Sequence, residues 1–310
     1  NRLSAKIMLR IQLMISVIII NHGTADVTLK CLKHLYQSRG IEFETILINN
    51  TPEDKLSYPK VKIINNPKRL GFGANNNKGM KVAQGDKILL LNSDCFVQPD
   101  TLAMLNAQCT MHKWDVAGCR LTTAEGKTLP SIGYFPTLRR VAQMMLFVDN
   151  LPVVRKFIDT IHVRDVSRLA KPQEVDWVQG AFIMLTREVY KKVGGFDEKF
   201  HMYGEEVEWQ FRIKKAGFDI WYYPQTSAVH LERMSVKSPG PSFIGEMKGY
   251  LYYFKLHRPR WEQISLPWIL LFGCLIRIPA WAVWGKWDIV RAYTNVLPQL
   301  TFEIFGRTRE

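Results

Sequence analysis

Residues 83–99 read Ala83-Gln84-Gly85-Asp86-Lys87-Ile88-Leu89-Leu90-Leu91-Asn92-Ser93-Asp94-Cys95-Phe96-Val97-Gln98-Pro99. The almost wholly apolar run at 87–91 is typical of a strand that is buried on both faces of a parallel sheet. It stops at three small polar residues, and ligands of open α/β sheets bind just beyond the carboxyl ends of the strands. Asn92 and Asp94 are therefore predicted to project at that edge, where their oxygens suit a hard divalent cation that carries a diphosphate. The alternative is a strand that ends in an ordinary polar turn.

Apolar runs that end in polar residues also occur earlier in the chain. They predict strands at 16–20, 43–48 and 61–64, with a helix that opens at Thr24. Strands that alternate with helices indicate a parallel, layered α/β sheet. The polar residues that follow these runs are Asn21, His22, Asn49, Asn50, Asn65 and Asn66. Several polar strand ends at one edge of a sheet predict a ligand crevice.

The segment 71–79 reads Gly71-Phe72-Gly73-Ala74-Asn75-Asn76-Asn77-Lys78-Gly79 and is predicted to be a loop that leads into a helix at 80–83. It does not match Gly-x-Gly-x-x-Gly, since Asn76 stands in place of the third glycine, and it follows the third strand rather than the first. Both features argue against a dinucleotide-dependent dehydrogenase. Amide groups at a helix N-terminus would still suit a phosphate or a nucleobase.

The segment from 120 to 172 has weak periodicity, and turn and basic residues are frequent in it. It follows a predicted helix at 98–111 and a predicted strand at 116–119, and we expect it to form loops and a helix over one edge of the site. This segment belongs either to the acceptor side or to a solvated face. A strand is then predicted at 175–185, interrupted by Gly180, where a ligand or another backbone approaches closely.

A helix is predicted to start near Gly204, which places Glu205 and Glu206 in its first turn. The helix dipole favours the ionised form of acids at this position. Structural acids are also common there, so the spacing alone leaves a catalytic and a structural role open. Two short strands, at 219–223 and 226–230, are predicted to complete the core.

The composition excludes several classes of protein. A hydrophobic fraction of 47% excludes disorder in a chain of 310 residues. Five widely spaced cysteines without a Cys-x-x-Cys pair argue against disulfides or a zinc site and for a reducing compartment. The net charge of +14 suits a polyphosphate substrate or an anionic membrane surface. No nucleic-acid partner is expected, since the sequence has no RNA-binding aromatic signature.

Taken together, these segments resemble the inverting family 2 glycosyltransferases with the GT-A fold, most closely their rhamnosyltransferase-like branch. The matching motifs, in the order of the family, are Ile20-Asn21-His22, Asn49-Asn50, residues 71–79, residues 90–94, Gly180-Ala181, residues 194–200, residues 203–208 and His230. The resemblance implies an α/β fold whose central sheet is mainly parallel and is flanked by helices. Single motifs of this kind arise by coincidence, but an ordered series does not.

The resemblance also implies roles for individual residues. Asp94 and His230 are expected to hold a divalent metal, Mg²⁺ or Mn²⁺, on the diphosphate of the donor. Glu206 takes the position of the general base, with Glu205 as its competitor. The expected nucleotide and donor contacts are Asn21, Asn49, Asn76, Asn77, Asn92 and Gly180, and the expected acceptor contacts are Trp177 and Glu208. Inverting transfer needs a carboxylate that takes the proton of the acceptor hydroxyl and a cation that neutralises the leaving diphosphate.

Three departures from the family's motifs involve four positions. Asn49 replaces an aspartate that contacts the base, Glu206 and Glu208 replace aspartates, and Ser93 replaces the proline of the rhamnosyltransferase branch. The replacement at Asn49 leaves the nucleobase of the donor open. The replacement at Ser93 weakens a specific assignment of rhamnose as the sugar.

The C-terminal part of the chain is predicted to be helical. We expect an N-terminal extension at 1–14, a catalytic domain at 15–240 and a helical region at 241–310. Residues 264–287 are apolar, but Arg277 and two prolines make them a poor membrane span. Tryptophans and flanking cations favour a helix that lies in the membrane interface. The alternative is a helix packed on the core or on a second copy of the chain.

The sequence therefore predicts a metal-dependent inverting glycosyltransferase. It would move a sugar from a nucleotide-diphosphate donor to a glycan acceptor, lipid-linked, in bacterial surface polysaccharide synthesis at the cytoplasmic face of the inner membrane. One alternative is a sugar-nucleotide pyrophosphorylase, but Asn21-His22-Gly23 is not the glycine-rich basic loop that such an enzyme needs after its first strand. The other is an inactive relative that serves as an assembly scaffold, against which the intact Asp94 and Glu206 argue.

Overall fold

The computed structural model of the chain describes residues 14–200, 203–231 and 239–306. The predicted extension at 1–14 therefore lies almost wholly outside the described residues, as do His201 and Met202. The strands are β1 (Ile15–Asn21), β2 (Phe43–Asn49), β3 (Val61–Asn65), β4 (Lys87–Asn92), β5 (Cys95–Val97), β6 (Val116–Thr122), β7 (Ile132–Gly133), β8 (Gln173–Glu174), β9 (Trp177–Val178), β10 (Phe182–Thr186) and β11 (Ile220–His230). The helices are α1 (Ala25–Leu35), α2 (Phe72–Val82), α3 (Thr101–His112), α4 (Leu138–Met145), α5 (Arg187–Val193), α6 (Glu205–Lys215), α7 (Pro239–His257), α8 (Arg260–Val283) and α9 (Trp287–Phe305).

The main sheet has nine strands in the order β3-β2-β1-β4-β10-β6-β11-β5, with β8 paired to β11. The first four strands of this order are parallel, and β10 runs antiparallel between β4 and β6. In the parallel part, the register places Asn21 beside Asn49 and Asn49 beside Asn65. The mainly parallel sheet with aligned polar strand ends is therefore confirmed.

Both faces of the sheet are covered, which explains why its strands are almost continuously apolar. Ile19 and Leu91 pack on one face with side chains of α1 and α3, such as Leu32. Ile18 packs on the other face with side chains of α2, α5 and α6, such as Trp209. Alternate residues of one strand thus enter different cores, because successive side chains of a strand point to opposite faces.

The prediction of a loop at 71–79 is wrong, since α2 already begins at Phe72. The glycines of this segment serve close packing rather than a turn. A Cβ atom on Gly79 would lie 2.4 Å from Cγ2 of Ile18, and one on Gly73 would lie 2.8 Å from Cβ of Phe196. The helix can therefore approach the sheet and the 194–200 segment only where a side chain is absent.

The predicted strand at 175–185 is two strands, because the chain turns at Gly180. The N–H of Phe182 donates to the carbonyl of Gln179 at 3.1 Å, which closes the turn. β9 pairs with β7 in a separate two-stranded sheet, whereas β10 enters the main sheet. The two short strands predicted at 219–223 and 226–230 are instead one strand, β11, whose register shifts between Tyr223 and Ser227.

The C-terminal helices form a third core together with α4, which confirms the predicted helical region. On α8, Leu266, Leu270 and Cys274 are buried against neighbours that include Phe254 of α7 and Tyr293 of α9. By length and composition, α8 is the one helix of the described residues that could cross a membrane, and 33% of its apolar window is buried within the protein. One side of α8 thus belongs to the protein core.

Candidate functional site

A cavity of about 810 Å³ opens at the carboxyl edge of the sheet and continues to the C-terminal helices. Its sheet-edge half is lined by Ile20, His22, Asn50, Leu70, Phe72, Asn75, Asn92, Ser93, Asp94 and His230. Its helical half is lined by side chains that include Met144, Asn150, His162, Arg164, Glu246, Tyr250, Arg277, Trp281 and Tyr293. Gly180, Glu205 and Glu206 also line the cavity. The predicted crevice at the strand ends is therefore present. It also extends beyond the strand ends, to the C-terminal helices.

Asp94 and His230 meet at the sheet edge because of strand pairing. Asp94 follows β4, and β5 returns antiparallel to β11 so that Cys95 pairs with His230, the last residue of that strand. The Nε2 atom of His230 lies 3.3 Å from Oδ1 of Asp94, and its buried Nδ1 has no hydrogen-bond partner. In the described ranges, no group of three or more His, Cys, Asp or Glu side chains could hold a metal ion.

An oxygen and an imidazole nitrogen nevertheless fit a metal whose remaining ligands come from elsewhere. Mg²⁺ and comparable ions are commonly held by one or two carboxylates together with substrate phosphates and water. Asp94 and His230 could contribute two ligands of this kind from the wall of the cavity. The donor set therefore suits a cation that arrives with a diphosphate rather than a closed structural site.

The strand-end asparagines divide into two groups. Asn92, predicted to bind the donor, lines the cavity together with Asn50 and Asn75, which the sequence did not single out as ligands. Asn21 and Asn49 do not line it, since their side chains are used inside the protein. The amide of Asn21 donates to Oδ1 of Asn49 at 3.0 Å and to Asp54 at 2.7 Å, and the amide of Asn49 donates to Oδ1 of Asn65 at 2.9 Å.

Asn76 and Asn77 lie within α2 and also do not line the cavity. The amide of Asn76 donates to the carbonyl of Phe72 at 3.2 Å. Asn77 holds the 194–200 segment: it donates to the carbonyl of Phe196 at 3.0 Å and accepts from the N–H of that residue at 2.8 Å. A Cβ atom on Gly195 would lie 2.0 Å from Oδ1 of Asn77. This part of the sequence motif thus serves a structural contact between α2 and the 194–200 segment.

Glu205 and Glu206 open α6 after Gly204, whose φ of 94° is in the left-handed region that favours glycine. Gly180 lies against Glu206, since a Cβ atom there would be 3.6 Å from the Cβ of Glu206. Burial raises the pKa of Glu205 to about 8, and the negative charge of Glu206 adds to this shift. Oε2 of Glu205 is buried without a partner.

Burial also raises the pKa of Glu206. His162 partly offsets this rise, whereas the negative charge of Glu246 adds to it. A carboxylate with a raised pKa is a more effective general base near neutral pH. The two neighbouring glutamates interact, so their titration belongs to the pair.

The two predicted acceptor contacts have different surroundings. Trp177 lines the cavity, and its Nε1 donates to the carbonyl of Tyr134 at 3.3 Å. Glu208 is buried outside the cavity wall, where Arg212 Nε lies 2.8 Å and His257 Nε2 lies 2.9 Å from its Oε1. These partners lower the pKa of Glu208 despite the opposing effect of burial. The geometry favours a structural ion pair at Glu208 over an acceptor contact.

The helical half adds charged groups that the sequence did not reveal. Nε2 of His162 lies 3.2 Å from Oε1 of Glu246, and the hydroxyl of Tyr250 donates to the same oxygen. Burial would raise the pKa of Glu246, but these partners outweigh it and the pKa is lowered. His162 comes from the weakly periodic segment and Glu246 from α7, and the two residues are 84 positions apart in the sequence. No sequence motif links residues at this separation, so their contact could not be predicted.

Comparisons with known proteins agree with this geometry. The rhamnosyltransferase WbbL of Escherichia coli (strain K12) is 26% identical over 235 residues, which cover 70% of this chain and 83% of that protein. The N-acetylglucosaminyl-diphospho-decaprenol L-rhamnosyltransferase of Mycobacterium tuberculosis (strain CDC 1551 / Oshkosh) is 23% identical over 245 residues, 74% of this chain and 78% of that protein.

A solved structure shares the fold. It is the mannosyltransferase PcManGT from Pyrobaculum calidifontis in complex with GDP-Man and Mn²⁺, with a TM-score of 0.57 at 13% identity over 96% of this chain and 88% of that one. Residues 14–239 match the profile of the family described as "Glycosyltransferase like family 2". The chain therefore belongs to glycosyltransferase-like family 2, as its motifs predict, and is a glycosyltransferase with the GT-A fold and rhamnosyltransferases among its relatives.

Proposed function

We propose that the chain is an inverting, metal-dependent hexosyltransferase. It takes a sugar from a nucleotide-diphosphate donor and adds it to a lipid-linked glycan in the synthesis of a bacterial surface polysaccharide. The observation that carries this proposal is that Asp94, His230 and Glu206 line one cavity, which continues into the helical half. The relative named for a diphospho-decaprenol substrate supports a lipid-linked acceptor, and its name and that of WbbL support rhamnose as the sugar.

The donor belongs in the sheet-edge half. Asp94 and His230 would hold the cation, Mg²⁺ or Mn²⁺, which supplies the counter-charge for the leaving diphosphate. Asn92 lines the same half and offers its amide to the nucleotide, whereas the amides of Asn50 and Asn75 are hydrogen-bonded within the protein. Hydrogen bonds such as that from the amide of Asn66 to Oδ1 of Asn75 at 2.6 Å fix this wall of the cavity. Fixed positions of this kind hold the reacting carbon in place.

Glu206 takes the proton of the acceptor hydroxyl. It lies at the start of α6, against the glycine turn at Gly180, and lines the cavity that would receive the acceptor sugar. Trp177 lines the cavity as well and offers an aromatic wall to the acceptor. Transfer with inversion requires that the hydroxyl attack from the face opposite the diphosphate, so the base and the cation site must be separate groups. Glu206 and Asp94 meet that requirement.

The outer face of α8 supports a position at the membrane surface. Trp261, Ile264, Trp268, Phe272 and Leu275 are exposed and recur every three or four residues, so they form one stripe along the helix. Arg277 does not interrupt this stripe, since it is buried on the other side. Lys255, Arg260, Lys286 and Arg291 are exposed near the ends of the helix. We assign the stripe to the interface of an anionic membrane, on its cytoplasmic face.

The test of the function is metal-dependent donor binding. Asp94→Asn removes one negative charge at the cation site, and we expect it to abolish most of the gain in affinity that Mn²⁺ gives to nucleoside diphosphates such as UDP, GDP and dTDP. Calorimetry with and without Mn²⁺ measures this gain. Asp100→Asn, at an exposed aspartate before α3, is the matched control and should bind normally. An unchanged gain in Asp94→Asn would contradict the assignment.

A further inference from the structure

The far end of the helical half, which we call the distal pocket, is lined by Asn150, Arg164, Arg277 and Trp281. It lies away from the sheet edge, between the segment that follows α4 and the C-terminal end of α8. None of its residues takes part in the donor site described above. Its polar groups are unusual for a wall made of apolar helices.

Arg277 is 7% exposed, yet its guanidinium contacts only neutral groups. Nε donates to the carbonyl of Met145 at 2.8 Å, Nη1 donates to the hydroxyl of Tyr293 at 3.0 Å, and Nη2 donates to the carbonyl of Met144. The guanidinium also lies 4.1 Å from the centre of the Phe147 ring. Within the described residues, no carboxylate forms an ion pair with Arg277. A buried charge is normally paired.

Asp149 is a carboxylate on which both arginines act electrostatically, since the positive charges of Arg164 and Arg277 oppose a rise in its pKa. Burial outweighs the two arginines and raises the pKa of Asp149 above its usual value. Glu246, which also lines the cavity, is hydrogen-bonded to His162 and Tyr250, and the charge of Arg164 also acts on it. Within the described residues, neither of these carboxylates forms an ion pair with Arg164 or Arg277, so N–H groups of the two arginines remain open to a ligand.

The pocket also presents donors without acceptors. Trp281 follows Arg277 by four residues and so lies on the same face of α8. Its Nε1, which can only donate, is buried without a partner. Arg164 is exposed and uses Nη1 for Asn150, at 2.6 Å, which leaves its other N–H groups available. Positive charge and spare N–H donors together suit the oxygens of a phosphate.

An exposed apolar rim adjoins this pocket. It consists of Leu146, Leu151, Val153 and Phe157 on one side and Val283, Trp284 and Trp287 on the other. Trp281 joins the pocket to the rim, since its ring centre lies 5.2 Å from that of Trp284 and 5.9 Å from that of Phe147. A site for phosphate beside exposed apolar surface fits an amphipathic ligand.

We propose that the distal pocket binds the diphosphate of a polyisoprenyl diphosphate, with the hydrocarbon chain along the apolar rim. The inference rests on the proposed function and specifies the acceptor: its lipid end is held by Arg164, Arg277 and Trp281 while its sugar reaches Glu206. A second copy of the chain or a bilayer alone would cover the rim but would leave the buried N–H of Trp281 without an acceptor.

The test uses farnesyl diphosphate with the whole protein, in EDTA so that no cation supports a diphosphate at Asp94. Calorimetry should show binding by the wild type, weakened about tenfold or more in Arg164→Gln and several-fold in Trp281→Phe, which loses only the N–H donor. Farnesol and inorganic pyrophosphate are the matched probes for chain and headgroup. Each should bind more weakly than farnesyl diphosphate, and farnesol should not respond to Arg164→Gln.

Four results would overturn the inference. Unchanged affinity in Arg164→Gln would remove the diphosphate contact, and pyrophosphate binding as tight as that of farnesyl diphosphate would indicate a free-phosphate site. Loss of binding in Asp94→Asn, or competition by a nucleoside diphosphate, would place the probe in the donor site. Because donor binding is measured separately with Mn²⁺, failure of this inference leaves that measurement intact, and failure of donor binding does not affect this one.

Discussion

The sheet-edge half of the cavity is lined by side chains at the ends of strands, whereas the helical half is lined by α4, α7, α8 and α9 and the segments between them. In the first half, residues distant in sequence meet because strands pair, as Asp94 and His230 do through β5 and β11. In the second half, His162 and Glu246 meet because the segment around Ile161 packs with α7 in a shared core. The comparison shows how one site can combine a part set by sheet topology with a part set by helix packing.

The two halves also differ in their electrostatics. The sheet-edge half offers a carboxylate, an imidazole and amides, which suit a cation with a nucleotide. The distal part of the helical half offers arginines and an indole N–H, which suit an anion directly. Glu206 lines the cavity that contains both of these halves. If this account is right, variants in the two halves should fail in different assays.

The largest effect is expected at Glu206. Glu206→Gln keeps the size of the side chain but cannot take a proton, so we expect kcat to fall by about 10²–10⁴-fold. Nucleoside diphosphate affinity and the melting temperature should be nearly unchanged. The measurement is transfer to acceptor at saturating donor, with calorimetry on the same protein.

Glu205→Gln is the matched control for this variant, since the two glutamates are adjacent and both line the cavity. It should reduce kcat much less. Near-normal turnover by Glu206→Gln together with an inactive Glu205→Gln would assign the base to Glu205 instead. If the wild type binds donor and acceptor but never transfers, the inactive scaffold is the better description.

A smaller effect is expected for the outer face of the helical half. Trp268 and Phe272 are 49% and 59% exposed on α8, and each should contribute about 1 kcal/mol to membrane binding, so replacing both with Ser should weaken binding to anionic vesicles about tenfold or more. Met104→Ser with Met111→Ser on α3, 40% and 65% exposed, is the matched control. Vesicle sedimentation measures the loss.

Two outcomes would contradict the membrane assignment. Equal losses in the α8 and α3 variants would show that general surface hydrophobicity, not the stripe, sets the affinity. A wild-type dimer that dissociates in the α8 variant, measured by light scattering, would assign the stripe to a second copy of the chain.

The smallest effect is expected for Glu246, a residue of the helical half whose charge acts on the proposed general base Glu206. Burial raises the pKa of Glu206, the charge of Glu246 adds to this rise, and His162 opposes it. The neighbouring Glu205 also interacts with Glu206. Glu246→Gln removes one negative charge, so the pKa of Glu206 should fall. Activity requires the deprotonated base, hence the acid limb of the kcat profile should move to lower pH, by about one unit or less.

Tyr250→Phe is the control for this shift. It removes the hydrogen bond to Glu246 but keeps the charge of that carboxylate. Its acid limb should stay close to that of the wild type. A shift of the Glu246→Gln limb to higher pH would mean that loss of the partner of His162 outweighs the loss of the charge.

The strand ends that form the sheet-edge half could be predicted from the sequence, because the pattern that marks them is local. An apolar run followed by Asn92 and Asp94 indicates both a strand and the place where it ends, and parallel pairing aligns such ends. The same pattern does not say which amides face inward. Asn21 and Asn49 end their strands as Asn92 does, but hydrogen bonds with Asp54 and Asn65 occupy them.

The helical half could not be predicted from sequence to the same degree. Apolar periodicity indicates helices in this region, but not which of their faces enclose a cavity. Arg277 counts against a membrane span in the sequence, and in the fold it turns inward toward Met145 and Tyr293. The inward orientation of Arg277 depends on the packing of α4 and α9 against α8, and no local sequence pattern predicts that packing.

The most direct test of the account is a crystal structure with a nucleoside diphosphate and Mn²⁺, in which anomalous scattering locates the metal. We expect a manganese peak beside Asp94 and His230, at about 2.0–2.3 Å from a carboxylate oxygen, with the diphosphate in the sheet-edge half. A manganese peak beside Glu205, Glu206 or Glu246 would contradict it, because the carboxylates assigned to proton transfer would then hold the donor.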